Sequence, residues 1–445
     1  MIPGARLAAV IEILELAEVE PRPVDRIMAE YFRQRRYAGS KDRAEVSRCV
    51  YGIVRRRMRL DWWLQRVGVE ITPRVRLIAA LALSDPTFGQ TVPFDQALSL
   101  FSIATYGPGA LDVREIEIYR ELAGQCLEPP DMPDGVRLEC PKWADRPLRF
   151  ALGDRFETCL HALAAEASFD LRINPVIDRD RDSVARKLAK AGLETQQMQF
   201  SPLGLRARVR KRITGLKPYK SGAIEVQDEG AQLAALLVGA EPGMQVVDYC
   251  AGAGGKTLVL GAMMANRGRV LAMDVSANRL DRAAVRISRA SLHNVERRVL
   301  KGEHDRYLKR WSKRFDRVLV DAPCSGLGIW RRDPEARMRE DEASLAELTN
   351  LQDRILANAG RLTRPGGRLV YVTCSLLVEE NEERITKFLE RRGDYKLLEI
   401  RDVWRDTVSA LGGGEPPVTG PMLRLMPDEH GTDGFFVAVL ERKLA

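Results

Sequence analysis

A chain of 445 residues is long enough for two or three domains with sizeable cores. Its 45% hydrophobic and 30% charged residues exclude a disordered chain, and no apolar stretch reaches the roughly 18 residues of a membrane span. The net charge of +8 gathers in arginine clusters at 33–36, 55–59, 206–212 and 331–332, which points to a phosphate-bearing partner, a nucleic acid.

Taken in chain order, residues 1 to about 106 read as helical. Leu7, Val10, Ile11 and Leu14 recur at the helical period, and further helices are expected near 24–32, 43–57, 74–83 and 94–106. Pro73 and Pro93 stand near expected helix starts, where a missing N–H costs little. Trp62 and Trp63 read as core. From 107 to 142 the turn chemistry of Gly107-Pro108-Gly109 and Pro129-Pro130 surrounds one helical stretch near 113–123, which places a domain boundary near 140. A small α/β domain is expected over 141–222, with helices near 156–167 and 183–191 and a strand at 171–173. From 223 to 445 strands near 245–249, 269–273, 297–301, 316–321, 367–373 and 434–440 alternate with helices near 228–238, 257–265, 276–291, 341–362 and 379–391. That alternation predicts an α/β fold, a parallel doubly wound sheet covered on both faces.

Seven cysteines, an odd number spread over the chain with no C-x-x-C pair, do not make a disulfide framework, and four histidines leave no zinc pattern. The N-terminus lacks the basic-then-apolar layout of a secretory signal. A cytoplasmic, metal-free monomer with reduced thiols is expected.

Three strand ends carry the chemistry. The strand near 245–249 runs through Cys250 and Ala251 into Gly252, Gly254, Gly255 and Lys256. Glycines there let backbone approach a ligand, and the helix that follows offers free N–H groups to an anion. This is not the G-x-x-x-x-G-K-[ST] phosphate loop, because the first glycine is too close. About 20 residues on, Asp274 ends the next strand, where a carboxylate accepts both hydroxyls of a ribose; the competing reading is an N-cap for the helix near Ser276. NAD and S-adenosylmethionine both fit. The other two strand ends are Asp321-Ala322-Pro323-Cys324-Ser325-Gly326 and Thr373-Cys374-Ser375. Thiols beside a bound adenosyl group suggest covalent catalysis by cysteine.

These motifs together, with Val226 to Gln232 ahead of them, resemble the RNA 5-methylcytosine methyltransferases, and Gly39 to Arg43 and Val50 to Arg56 resemble that family's helical extension, which is similar to the antitermination factor NusB. The likeness runs over essentially the whole chain. It implies a class I, Rossmann-like, S-adenosylmethionine-dependent methyltransferase domain over 223–445, preceded by a NusB-like helical RNA-binding domain over 1–140 and a small α/β RNA-binding domain over 141–222. It implies S-adenosyl-L-methionine as cofactor and RNA, small-subunit ribosomal RNA, as substrate. It also implies Cys374 as the nucleophile at cytosine carbon 6, Cys324 as the helper in product release and Asp321 on ring nitrogen 3. The cofactor set becomes Cys250, Ala251, Gly252, Gly254, Gly255, Lys256, Asp274, Arg279 and Asp321, with Asp305, or Glu303 beside it, on the adenine. Ala253 stands where the family usually has proline. Two other readings stay open: a DNA cytosine methyltransferase, which needs no second cysteine, and a non-catalytic RNA-binding assembly factor.

Overall fold

The N-terminal periodicity becomes helices over Pro3–Val19, Val24–Gln34, Ser40–Arg55, Arg57–Val67, Pro73–Ala82, Phe94–Leu100 and Val113–Leu122 in the computed structural model. The structure describes residues 1–20, 22–84, 91–102, 106–302, 305–418 and 420–444; Glu303 and the 103–105 end of the helix expected from Phe94 lie outside the described residues. The helix read at 43–57 is Ser40–Arg55, and a second helix that the reading did not name, Arg57–Val67, follows it. Arg56 leaves helical geometry at φ −119° and ψ 21°, and the second helix carries Trp62 and Trp63. Trp63 is buried and donates its Nε1–H to the Leu127 carbonyl at 3.1 Å, while Trp62 packs edge-on against it with centroids 5.2 Å apart. Apolar faces of these helices enclose one core around Val10, Ile27, Val50, Leu64, Ile78 and Tyr119. Residues Met1–Arg146 form this unit together with Arg332–Arg339, a short excursion from the second half of the chain.

The other unit holds Pro147–Arg331 and Glu340–Ala445. Its first sheet has four strands, β1 (Phe169–Ile173), β2 (Thr195–Gln197), β3 (Gly204–Ala207) and β4 (Ile224–Val226), in the order β2-β3-β1-β4 and antiparallel throughout.

Eight further strands follow: β5 (Gln245–Asp248), β6 (Arg269–Asp274), β7 (Val295–Val299), β8 (Phe315–Asp321), β9 (Thr363–Thr373), β10 (Tyr395–Leu397), β11 (Leu423–Leu425) and β12 (Phe435–Arg442). They form one sheet in the order β10-β12-β9-β8-β5-β6-β7, with β11 on β12. Alternate side chains serve opposite faces, as a period of two requires. Val246, Val270, Leu319 and Val370 pack with Leu233, Val259 and Trp404 on one face; Val247, Leu271, Val318 and Leu369 pack with Leu356, Ile385 and Phe388 on the other. β5 to β9 are parallel.

The fully parallel sheet expected from the alternation is corrected at one edge. β12 runs antiparallel to β9 and pairs Phe436 with Thr373. Its first residues therefore reach the rim where the parallel strands end. Strand order turns at β5, whose neighbours are β6 and β8, and such a switch point opens a crevice outside the strand ends. β7 begins two residues before the expected 297–301, because on this exposed edge only Leu300, just beyond the strand, is buried.

Candidate active site

At the end of β5 the chain turns through Gly252 at φ +54° and Gly254 at φ +82°, left-handed conformations that favour glycine, and enters the helix Gly255–Met263. A Cβ built at Gly252 would meet nothing within 4 Å, so the turn faces open space that a ligand can enter. The turn is tied down from β6. Asp274 accepts the Gly252 N–H at 2.8 Å on one carboxylate oxygen and the Ser276 N–H at 2.7 Å on the other. Asp274 is not the N-cap of the next helix; Ser276 fills that position and accepts the Arg279 N–H. Ala251 donates its N–H to the Met273 carbonyl at 2.8 Å. Behind the turn Asp248 is buried and accepts the Thr257 hydroxyl at 2.7 Å, while its Oδ1 has no hydrogen-bond partner among the described residues. Burial pushes its carboxyl up to about 7. Burial also holds the Cys250 thiol well above its ordinary value, helped by the charges of Asp248, Asp321 and Asp274.

The cysteine loops meet across β8 and β9. Cys324 Sγ and Cys374 Sγ lie 3.4 Å apart, a sulfur hydrogen-bond contact between free thiols. The contact with Cys374, burial and the nearby Glu380 charge raise the Cys324 thiol well above its ordinary value, so Cys324 keeps its proton at neutral pH. Lys256, first in line after the glycine turn, ion-pairs with Asp321 at 2.7 Å and lies 5.2 Å from the Phe435 ring centroid. Burial works against the Lys256 ammonium, but Asp321, with Cys374 and Asp248 behind it, carries it above the usual lysine value. A charged Lys256 thus links the glycine turn to the thiols.

One carboxylate clamps both loops. Glu380 is fully buried; it accepts the Ser325 N–H at 2.9 Å and the Gln352 Nε2–H at 3.0 Å on one oxygen and the Ser325 hydroxyl on the other. Its own carbonyl accepts the Tyr371 hydroxyl at 2.7 Å. Gln352 also holds the Pro323 carbonyl at 2.9 Å, and Asn381 holds the Ser375 carbonyl at 3.0 Å. Asn381, at φ −114° and ψ −97°, breaks the helix expected over 379–391, leaving Glu382–Arg391 as its regular part. From β12, the Gly434 N–H reaches the Gly328 carbonyl at 2.8 Å, and a Cβ at Gly328 would stand 2.3 Å from the Gly434 oxygen.

The structure therefore brings Cys324, Cys374, Asp321 and Lys256 together, and Asp274 to the glycine turn. Arg279 is exposed at the helix start. Asp305 stands beyond β7, where both its oxygens accept backbone N–H groups, from Lys301 and Tyr307, each at 2.9 Å; those bonds hold its carboxyl below the usual range. Glu380, Gln352, Asn381 and Gly434 escaped the sequence reading. Glu380 sits in the acidic run Glu379-Glu380-Asn381-Glu382-Glu383, which reads as a solvated helix start. Only its position five residues after Ser375 hinted otherwise. Among the described residues no cluster of histidine, cysteine and carboxylate side chains could hold a metal ion, and no helix is long and apolar enough to cross a membrane.

The family model described as 16S rRNA methyltransferase RsmB/F matches residues 235–441. A Synechocystis protein named "Probable ribosomal RNA small subunit methyltransferase B" is 31% identical over 418 residues, 90% of this chain and 91% of its own. The ribosomal RNA small subunit methyltransferase B of Pseudomonas syringae pv. tomato is 34% identical over 68% of this chain and 66% of its own. Among solved structures, that of PH0851 is 26% identical and superposes with a TM-score of 0.81 over 99% of both chains.

Proposed function

Because the chain belongs to the RsmB/F family of 16S rRNA methyltransferases, we propose that it methylates carbon 5 of a cytosine in small-subunit ribosomal RNA through a covalent Cys374–cytosine adduct. The observation that carries the reading is the pair of thiols 3.4 Å apart beside the Lys256–Asp321 ion pair, at the strand ends flanking the open glycine turn. S-adenosylmethionine supplies an electrophilic methyl group when bound. The open space over Gly252 and the buried Asp274 carboxylate fit such a group. Gly252, Gly254 and Gly255, with Cys250 and Ala251, would line its cradle, Asp274 would take the ribose hydroxyls, and Arg279 and Asp305 would flank the adenosine.

Cytosine carbon 5 is a poor nucleophile, and adding a thiolate at carbon 6 makes it enamine-like. Cys324, holding its proton, donates to Cys374 Sγ and favours the anion there; Lys256 adds positive charge from the other side. Attack forms the sulfur–carbon 6 bond while Asp321, steadied by Lys256, supports protonation at ring nitrogen 3. Once carbon 5 carries the methyl group, its proton leaves, the carbon 6–sulfur bond breaks and Cys374 regains its electron pair. Cys324, which keeps its own proton, then hydrogen-bonds the departing Cys374 sulfur, and the carbon 5 proton passes to solvent. The target must be unstacked, since the ring is attacked from its face. The 1–140 and 141–222 regions are the proposed grip on flanking RNA.

The test separates the thiols. With wild-type protein, 5-methylcytosine should appear in 16S ribosomal RNA. With Cys374→Ala it should vanish while calorimetric cofactor affinity persists. With Cys324→Ala a protein–RNA adduct should survive denaturing electrophoresis and disappear in the double variant. An adduct that needs Cys324 and persists without Cys374 reverses the roles and defeats this mechanism.

A further inference from the structure

Each of the arginine clusters conspicuous in the sequence has members paired with carboxylates within the fold. Arg33 pairs with Glu30 and Arg35 with Glu12, each at 2.9 Å; Arg59 reaches Glu139 at 3.0 Å, Arg206 reaches Asp170 at 2.8 Å and Arg331 reaches Asp433 at 2.5 Å. Between 298 and 314 the chain has seven lysines and arginines against two acids, and none of the seven has a carboxylate within ion-pair distance among the described residues. Asp305, the one described acid in the stretch, gives its oxygens to backbone N–H groups instead.

These cations have a built scaffold. Arg298 and Arg310 stack on the Tyr307 ring, 4.4 and 4.0 Å from its centroid, and Arg269 lies 4.6 Å from that of Trp311. Trp311 leans on buried Phe315, and Leu308 is buried beneath the short helix Arg306–Trp311. The Lys313 and Arg314 N–H groups bond the Arg361 and Leu362 carbonyls, both at 2.9 Å. Stacking orients a guanidinium plane without spending its N–H fork on a carboxylate, so less order has to be gained on binding a phosphate. Arg298, Lys301, Arg306 and Arg310 line one open depression of about 860 Å³, and Asp305, the acid proposed to flank the adenosine, lines it as well. Gly252, Gly254 and Asp274 do not line it. Charges on an edge strand also guard against strand pairing, which accounts for Arg297 and Arg298 on β7. It does not account for the cations from Arg306 to Arg314, which lie off the strand.

We propose that this strip, from β7 through the Arg306–Trp311 helix to Arg314, is a docking surface for the phosphate backbone of the substrate RNA. The proposal rests on the RNA-methyltransferase reading above and adds where the strand bearing the target runs. Free phosphates neutralise unpaired cations with counterion release, whereas the paired clusters would first have to break their own ion pairs.

The experiment uses the full chain and an Arg306→Gln/Lys309→Gln/Arg310→Gln variant with naked 16S ribosomal RNA and with small-subunit particles. The variant should bind naked RNA roughly tenfold more weakly. The slope of log affinity against log salt should fall by about 2, since each single-strand phosphate that a cation neutralises adds near 0.7. Calorimetric S-adenosylmethionine affinity and single-turnover methyl transfer at saturating RNA should match the wild type. An unchanged salt slope and RNA affinity overturn the strip. So does weakened binding to particles alone, which assigns it to a protein partner, or weakened cofactor binding, which assigns it to the cofactor site. A wild type that methylates no RNA cytosine fails the earlier reading instead.

Discussion

Asp248 shows how a single residue ties the glycine turn to pH. Its carboxyl, buried behind the turn with only the Thr257 hydroxyl on one oxygen, titrates near 7 rather than at its ordinary value. Between about pH 4 and pH 7 the folded protein holds a proton that the unfolded chain has released, so stability from this group is complete below pH 4 and is lost as pH rises through 7. Asp248→Asn cannot lose that proton. Denaturant titrations should show the variant gaining on wild type by on the order of 4 kcal/mol between pH 4 and 8. Parallel stability curves for the two proteins would show that Asp248 is ionised throughout. Glu380 illustrates the opposite arrangement. It is equally buried, yet its oxygens accept from two N–H donors and a hydroxyl, so neither is left without a partner.

At the scale of elements, the antiparallel β12 does what a further parallel strand could not. It delivers Gly434 and Phe435 to the rim where β8 and β9 release the cysteine loops. The Gly328–Gly434 crossing is the closest part of that junction. Gly328→Ala needs room where a carbonyl oxygen stands at 2.3 Å, and overpacking of this kind costs about 1–3 kcal/mol. The variant should unfold at lower denaturant and lose methyl transfer more than cofactor affinity, because the Cys324 loop moves while the Gly252 turn is untouched. Wild-type turnover would mean that the loop has slack. The two halves of the 40–67 region make a related point. The helix expected at 43–57 ends at Arg55, Arg56 leaves helical geometry, and a second helix, Arg57–Val67, which the sequence reading did not name, follows.

At the scale of the whole molecule, Arg332–Arg339 belongs with the helical unit although its sequence lies inside the methyltransferase half. Arg337 is almost wholly buried there, near Glu139 and Arg59, and burial lowers its guanidinium to about 10. Glu335 accepts the Val24 N–H at 2.7 Å. A chain of residues 147–445 alone would strip these partners away. Limited trypsin digestion should then cut after Arg337, a site that is buried in the full chain. Equal protection in both would place the segment's order in its own local structure.

The sequence by itself determined the strand–helix alternation, the glycine turn, Asp274 and the two cysteine motifs, because these are local: apolar runs of strand length, a turn that only glycine makes, and reactive residues at strand ends. Tertiary structure alone decided what depends on distant chain returning to the same rim. It set the two sulfurs 3.4 Å apart across a separation of 50 residues, joined Lys256 to Asp321, and turned β12 against its neighbours. It buried Glu380 from an acidic run that reads as surface, and it paired Arg33, Arg35, Arg59, Arg206 and Arg331 with carboxylates while the cations from 298 to 314 have none within ion-pair distance among the described residues. Charge patterning along a chain counts cations; only the fold supplies or withholds the carboxylates that neutralise them.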